Sequence, residues 1–148
     1  MNEHAGCKLK LAGYQGRQTA GGTMLGARLS IDAENGPARV TGAVRGKCSG
    51  GGADGSTTYL PIVTAPKFPK ILVVGKKYQK SAHIDRTETS PGSNGAHLVA
   101  TETITIDVLS AKRARVTVTT DQSSNFENTA DDPRHCKGGG SEKLKRQY

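Results

Sequence analysis

The sequence predicts an all-β fold, either a single antiparallel β-sandwich or a small β-barrel of six to eight short strands. Apolar and polar residues alternate along residues 97–120, which is the period of a strand with one buried side. Short runs rich in β-branched residues recur with turn signals between them, at intervals of about ten residues. No window repeats apolar residues at helical spacing, so the sequence predicts none of the crossover helices that a parallel sheet requires.

The first elements are a brief alternation over residues 8–11, a loop over residues 13–22 and then a hairpin. The first arm of this hairpin is predicted to turn one set of side chains inward: Leu25, Ala27, Leu29 and Ile31. Asn35-Gly36 follows, and this pair favours a type I′ turn because both residues tolerate positive φ. The return arm carries Ala38, Val40 and Val44. Pro37 has no backbone N–H to donate, so it belongs to the turn or to a sheet edge.

The middle of the chain alternates between loops and short strands. Residues 46–56 hold many glycines together with Cys48, and they are predicted to form a flexible loop. The apolar runs 59–63 and 71–74 are too short for helices and are predicted to be buried strands. Residues 81–89 give a further strand, in which Ala82 and Ile84 alternate with polar residues.

A second hairpin completes the predicted domain. Its inward side chains are Ile104, Ile106 and Val108 on one arm and Ala114, Val116 and Val118 on the other. After residue 120 apolar residues nearly vanish. The sequence therefore predicts a β-domain over residues 1–120, with core strands from about residue 24, and an irregular, mobile polar tail over residues 121–148. Gly138-Gly139-Gly140-Ser141 in that tail resembles a flexible linker.

Composition bounds the functions that this chain can perform. Its 148 residues contain 34% hydrophobic side chains and no tryptophan, which predicts a thin core of Val, Ile, Leu and Ala. The formal net charge of +8 favours an acidic partner such as nucleic acid, anionic lipid or anionic polysaccharide. No run approaches the ~18 apolar residues that cross a bilayer, and residues 1–6 lack the features of a signal peptide.

Three cysteines, Cys7, Cys48 and Cys136, are widely spaced. One disulfide with a free thiol suits an oxidising compartment, whereas three reduced thiols suit the cytosol. A thin core gains most from a covalent crosslink, so we favour export to the periplasm or the exterior. The spacing leaves the pairing open.

A basic strip in residues 67–86 is the best binding hypothesis that the sequence offers. Its members are Lys67, Lys70, Lys76, Lys77, Lys80 and Arg86, extended by Lys112, Arg113 and Arg115. Gathered on one surface, these side chains would neutralise several phosphates or sulfates. Single-stranded nucleic acid is also gripped by aromatic stacking, which only Phe68 and Tyr78 offer near the strip.

The histidines are the candidates for catalysis or metal binding. On a strand, His83 and Asp85 share one face, where a carboxylate orients an imidazole as a general base requires. The alternative is that both belong to an ordinary solvent-facing strand surface. A zinc site would need the termini to meet, bringing together His4, Cys7, His135 and Cys136. The competing interpretations are a Cys7–Cys136 disulfide, a Cys48–Cys136 disulfide or free thiols. No familiar hydrolase motif occurs.

These observations predict a small non-enzymatic β-domain, exported or envelope-associated, that contacts an acidic macromolecule or surface through the 67–86 strip. The first alternative is a nucleic-acid-binding protein that uses the same strip. The second is an enzyme or metal-binding protein centred on the histidines. No cofactor is predicted, and the sequence leaves the ligand and the oligomeric state undetermined.

Overall fold

The computed structural model describes residues 8–10, 14–16, 23–31, 37–50, 53–87, 97–125 and 134–146. Within these residues the chain forms strands and no helix, which confirms the predicted all-β class. The strands are β1 (Lys8–Lys10), β2 (Tyr14–Gly16), β3 (Met24–Ile31), β4 (Ala38–Gly50), β5 (Ala53–Pro61), β6 (Ile71–Val73), β7 (Lys77–Thr87), β8 (His97–Val108), β9 (Arg113–Asn125) and β10 (Arg134–Arg146). In this part of the chain no helix has the length and apolarity to cross a membrane.

Eight strands form one antiparallel sheet in the order β5-β4-β3-β2-β10-β9-β8-β7. The described strands at its two ends, β5 and β7, do not pair with each other, so the sheet is not closed into a barrel. One edge of β10 pairs with β9. Along its other edge, the first residues of β10 pair with β4 and the last residues pair with β2. β1 and β6 make a separate two-stranded sheet.

The predicted hairpin of residues 97–120 is confirmed as β8 and β9. Its six inward side chains are all buried: Ile104, Ile106, Val108, Ala114, Val116 and Val118. Phe68, Leu72 and Val74, from the segment that contains β6, belong to the same core cluster. The β8–β9–β10 sheet therefore buries one side and leaves the other side exposed.

The predicted inward face of β3 is correct at Ala27 and Leu29 and wrong at Leu25, whose side chain is exposed. The register between β3 and β4 shifts between Leu25 and Arg28. Gly26 has a φ of 64°, a left-handed conformation that glycine adopts without steric cost. Because this bulge reverses the alternation, Met24 is buried in place of Leu25.

Two segments that were predicted as loops are strands. β4 runs to Gly50 and β5 starts at Ala53, so most of the predicted 46–56 loop is paired. β2 lies inside the predicted 13–22 loop. In β4 and β5 the side chains of Lys47, Ser49 and Thr57 are exposed, and a strand side that faces solvent tolerates such polar residues. The predicted Asn35-Gly36 turn and the turn at residues 91–95 lie outside the described residues.

The predicted irregular tail is wrong for its described residues. β9 continues to Asn125, and β10 pairs with β9 along nearly its whole length near the middle of the sheet. The division into a domain over residues 1–120 and a tail therefore does not hold. The mainly polar composition misled the prediction, because β10 needs few apolar side chains when neighbouring backbones approach it closely.

That close approach explains Gly138 and Gly140, which the sequence suggested were part of a linker. A Cβ on Gly138 would lie 2.7 Å from the Arg45 carbonyl oxygen, and one on Gly140 would lie 2.4 Å from the carbonyl oxygen of Thr23. The Thr23 hydroxyl also donates to the Ser141 carbonyl oxygen and accepts from the Ser141 amide. These glycines are required by backbone packing.

Cys48 and Cys136 form a disulfide between β4 and β10, where the two residues are direct register partners. Both are nearly buried in the core cluster. This settles the pairing for two of the three cysteines that the sequence left open, and Cys7 lies outside the described residues. The predicted zinc set of His4, Cys7, His135 and Cys136 is wrong as a complete set, because the Cys136 sulfur is bonded to Cys48.

The core also contains a fully buried carboxylate that the sequence analysis did not single out, Glu102 on β8. One carboxylate oxygen accepts from the Thr64 amide at 2.8 Å and the Thr64 hydroxyl at 2.7 Å. The other accepts from the Thr120 hydroxyl at 2.6 Å, and the Val63 amide also donates to the carboxylate. Glu102 thereby fixes the connection after β5 against the sheet, and its lone pairs are satisfied by donors.

Candidate binding surface

The exposed side of the sheet is a continuous polar surface. We call it the outer face and define it as the odd-numbered residues of β7, β8, β9 and β10 together with residues 45, 47 and 49 of β4. Register places these residues in rows across the strands, such as Lys77, Asp107, Arg115 and Lys143. Because strand side chains alternate, burial of the even-numbered residues of β8 and β9 turns their odd-numbered neighbours to this surface, and register aligns β7 and β10 with them.

Basic side chains dominate the charge of the outer face. Its lysines and arginines are Arg45, Lys47, Lys77, Arg113, Arg115, Lys137, Lys143 and Lys145. Its carboxylates are Asp85, Asp107 and Asp121. Lys77 lies 3.8 Å from Asp107, and Lys137 lies 3.7 Å from Asp121. The surface therefore attracts anions even after these pairs are taken into account.

A cleft lies on this face beside the disulfide, with a volume of about 370 Å³. We call it the disulfide cleft; its lining residues are Lys47, Cys48, Ser49, Gly55, His135 and Lys137. Lys47 and Lys137 are direct register partners on β4 and β10. Two like charges directly opposite each other are unfavourable unless an anion lies between or beside them. Asp121 is the neighbouring carboxylate, and it is shared by Lys137 and His135.

Three histidines occupy the same end of the outer face as the disulfide cleft. The His135 Nε2 atom lies 2.6 Å from Asp121 Oδ1, and His83 Nδ1 lies 2.8 Å from Thr101 Oγ1. Asp85 forms a short contact with His97 Nε2. The predicted His83–Asp85 pair is therefore wrong in its partners, although both residues do share one face. His83 bonds to Thr101 directly opposite it, whereas Asp85 reaches His97 diagonally, because the residue opposite Asp85 is Val99 and offers no polar group.

The structure divides the predicted basic strip between different surfaces. Lys67 and Lys70 lie in the connection before β6, and Lys76 precedes β7. Lys77 is on the outer face, whereas Lys80 pairs with Ile104 and Arg86 pairs with Leu98, on the other side of the sheet. The hairpin residues Arg113 and Arg115 join Lys77 on the outer face. The sequence missed Arg45, Lys47, Lys137, Lys143 and Lys145, because strand pairing alone brings them together.

The aromatic residues of the strip face the core. Phe68 is 2% exposed, and Tyr78 packs against the core while its hydroxyl accepts from the Val73 amide at 3.0 Å. Neither presents a free ring face to a base. Among the described residues, no group of three or more histidine, cysteine or acidic side chains is arranged to hold a metal ion.

Comparisons with protein-family models, with curated proteins and with solved structures gave no match to this chain.

Proposed function

We propose that this protein is a non-enzymatic binding domain that holds an acidic macromolecule on its outer face. The observation that carries the proposal is the pairing of Lys47 with Lys137 across the disulfide cleft, on a face where basic side chains outnumber carboxylates. A second cationic group lies on the same face around Arg115 and Lys143. A surface with positive charge at both ends suits an extended anionic polymer better than a small substrate.

The distance between the two cationic groups supports a polymer. Lys137 and Lys143 lie six positions apart on β10, which corresponds to about 20 Å along a strand. A chain that carries regularly spaced negative charges spans this distance and contacts both groups. Its binding is then expected to weaken steeply with salt, because each neutralised charge releases a counterion.

Export of the protein is the second part of the proposal. The Cys48–Cys136 disulfide supports it, because disulfides form and persist in oxidising compartments and are rare in the cytosol. An exported or envelope-associated domain meets acidic polymers at cell surfaces. The test is the fractionation of cells that make the protein from its natural reading frame.

The outer face is tested by measuring the affinity for soluble heparin at several salt concentrations. Two variants that remove the same number of positive charges are compared with wild type. Lys47→Gln/Lys137→Gln changes the disulfide cleft, whereas Lys67→Gln/Lys80→Gln changes two lysines of the sequence-predicted strip that lie off the outer face. We expect the first variant to bind at least tenfold more weakly, with a shallower salt dependence, and the second to stay within threefold of wild type.

Equal losses in the two variants would mean that only net charge matters, and the outer face would be rejected as the site. A larger loss in Lys67→Gln/Lys80→Gln would assign binding to the 67–86 strip. Absence of heparin binding at low ionic strength would overturn the proposed function itself. Circular dichroism and thermal melting of each variant verify that the fold is retained.

A further inference from the structure

A band of neutral hydroxyl and amide groups lies on the outer face between its cationic groups. We call it the hydroxyl band; its members are Gln79, Ser81, Thr103, Thr105, Thr117, Thr119 and Ser141. The Ser81 and Thr103 hydroxyls lie 2.8 Å apart, and those of Thr117 and Ser141 lie 3.2 Å apart. The Thr105 hydroxyl donates to Gln79 Oε1 at 3.2 Å. Side-chain bonding across the strands therefore holds the band in place.

The hydroxyl groups of the hydroxyl band can still form hydrogen bonds with a ligand. A hydroxyl has one donor and two acceptor sites, so one bond to a neighbour leaves sites that face solvent. Ring hydroxyls of a sugar have the same mixed character and can both donate to and accept from such a surface. A lattice of threonine and serine hydroxyls is thus chemically matched to a polyhydroxyl ligand.

The same surface is poorly suited to nucleic acid. Single strands are held by stacking bases on aromatic rings as well as by charge. The described outer-face positions of β7 to β10 contain no phenylalanine, tyrosine or tryptophan, and the imidazoles of His83, His97 and His135 are each hydrogen-bonded to a neighbouring side chain. Tyr59 on β5, the register partner of Arg45, is an exposed ring beside this face, whereas the rings of Phe68 and Tyr78 are turned to the core. A polymer that offers charge and hydroxyls without planar bases fits better.

We propose that the acidic macromolecule is a polysaccharide that carries carboxylate or sulfate groups. Its anionic groups lie at the disulfide cleft and near Arg115 and Lys143, and its ring hydroxyls contact the hydroxyl band. This inference rests on the proposed function, since it names the class of polymer that the same face binds.

The test removes hydroxyls from the band without changing charge. Thr103→Val and Thr117→Val, singly and together, keep a β-branched side chain of similar shape, and Thr41→Val is the matched control at an exposed position of β4 outside the band. The probes are heparin as a sulfated polymer, alginate as a carboxylated one, and a mixed-sequence single-stranded oligonucleotide of similar charge.

We expect Thr103→Val/Thr117→Val to bind heparin or alginate at least tenfold more weakly than wild type. Thr41→Val should bind both polysaccharides as wild type does, and oligonucleotide binding should change less than twofold in every variant. Wild-type binding to heparin but not to alginate would show that sulfate is required, whereas binding to both would show that carboxylate suffices.

Two outcomes overturn the inference. One is polysaccharide binding that is unchanged in Thr103→Val/Thr117→Val, and the other is an oligonucleotide that binds as tightly as either polysaccharide. If Lys47→Gln/Lys137→Gln weakens binding while the valine variants do not, only the polysaccharide assignment fails. If neither set weakens binding, the proposed function fails with it. Thermal melting confirms that the valine variants remain folded.

Discussion

Cys48 on β4 faces Cys136 on β10, and their disulfide joins residues 88 positions apart in the sequence. The bond lies within the first part of β10, which pairs with β4, whereas the last residues of β10 pair with β2. The same pairing brings Lys47 opposite Lys137. The crosslink thus anchors both the middle of the sheet and the disulfide cleft.

Removal of this crosslink is expected to destabilise the protein strongly. Cys48→Ala/Cys136→Ala should lower the free energy of unfolding by about 4 kcal/mol, because a long loop in the unfolded chain is no longer constrained. Urea denaturation followed by circular dichroism measures the loss. Reductant should shift the wild-type midpoint toward that of the variant and leave the variant unaffected. A wild-type midpoint that is insensitive to a reductant shown to break the bond would contradict the prediction.

Glu102→Gln is expected to lower the free energy of unfolding by about 3 kcal/mol. Whichever way the glutamine amide is turned, its NH2 group replaces one of the two acceptor oxygens. On one side it would face the Val63 and Thr64 amides, and on the other the donors Thr120 Oγ1 and Gln122 Nε2. Glu142→Gln is the matched control, because it makes the same change on the half-buried side chain of Glu142 in the same sheet. Chemical denaturation of both variants at pH 7 gives the comparison, and similar losses in the two would refute a special role for Glu102.

Gly140→Ala tests the packing between β10 and the segment before β3. Its Cβ would lie 2.4 Å from the Thr23 carbonyl oxygen, so backbone must move, and we expect a loss of about 2 kcal/mol or more. Gly139→Ala is the neighbouring control, because its closest contact would be 3.2 Å, to the Val118 carbonyl oxygen. Thermal melting should show a clearly larger drop for Gly140→Ala. Equal drops would contradict a special requirement for glycine at position 140.

Glu142 provides a prediction about pH, because burial raises the pKa of its carboxyl above the ordinary value of 4.5. The folded state therefore holds this proton more tightly than the unfolded state, and stability falls as pH rises from 4.5 through the raised pKa. Glu142→Gln removes this penalty. We expect the variant to be more stable than wild type at pH 7 by less than about 1 kcal/mol, since the side chain remains partly solvated.

Chemical denaturation of wild type and Glu142→Gln at pH 7 and at pH 4 shows whether the difference in unfolding free energy depends on pH as expected. The two proteins should converge at pH 4, where the carboxyl is largely protonated in both states and resembles the neutral amide. A stability gain that persists unchanged at pH 4 would show that something other than ionisation is responsible.

The alternation of apolar and polar residues predicted the β8–β9 hairpin well. One face of each strand lies against the core and the other faces water, so Ile104, Ile106 and Val108 alternate with polar residues. The same rule failed at Leu25, where a bulge at Gly26 reverses the faces. The alternation rule also failed for β10. Glycines replace larger side chains there, because neighbouring backbones lie too close to leave room for a Cβ atom, and the apolar-polar pattern is therefore not visible. The basic strip failed as one surface because Lys77 and Lys80 lie on opposite sides of one strand.

The sequence by itself determined the all-β class, the main hairpin with its six buried side chains and the excess of positive charge. These follow from periodicity and composition, which depend only on neighbours along the chain. The tertiary structure alone decided that Cys48 pairs with Cys136, that Lys47 meets Lys137 and that Glu102 meets Thr64. The physical reason is that antiparallel pairing joins residues distant in sequence, and a register shift of one residue would turn each of them to the other face.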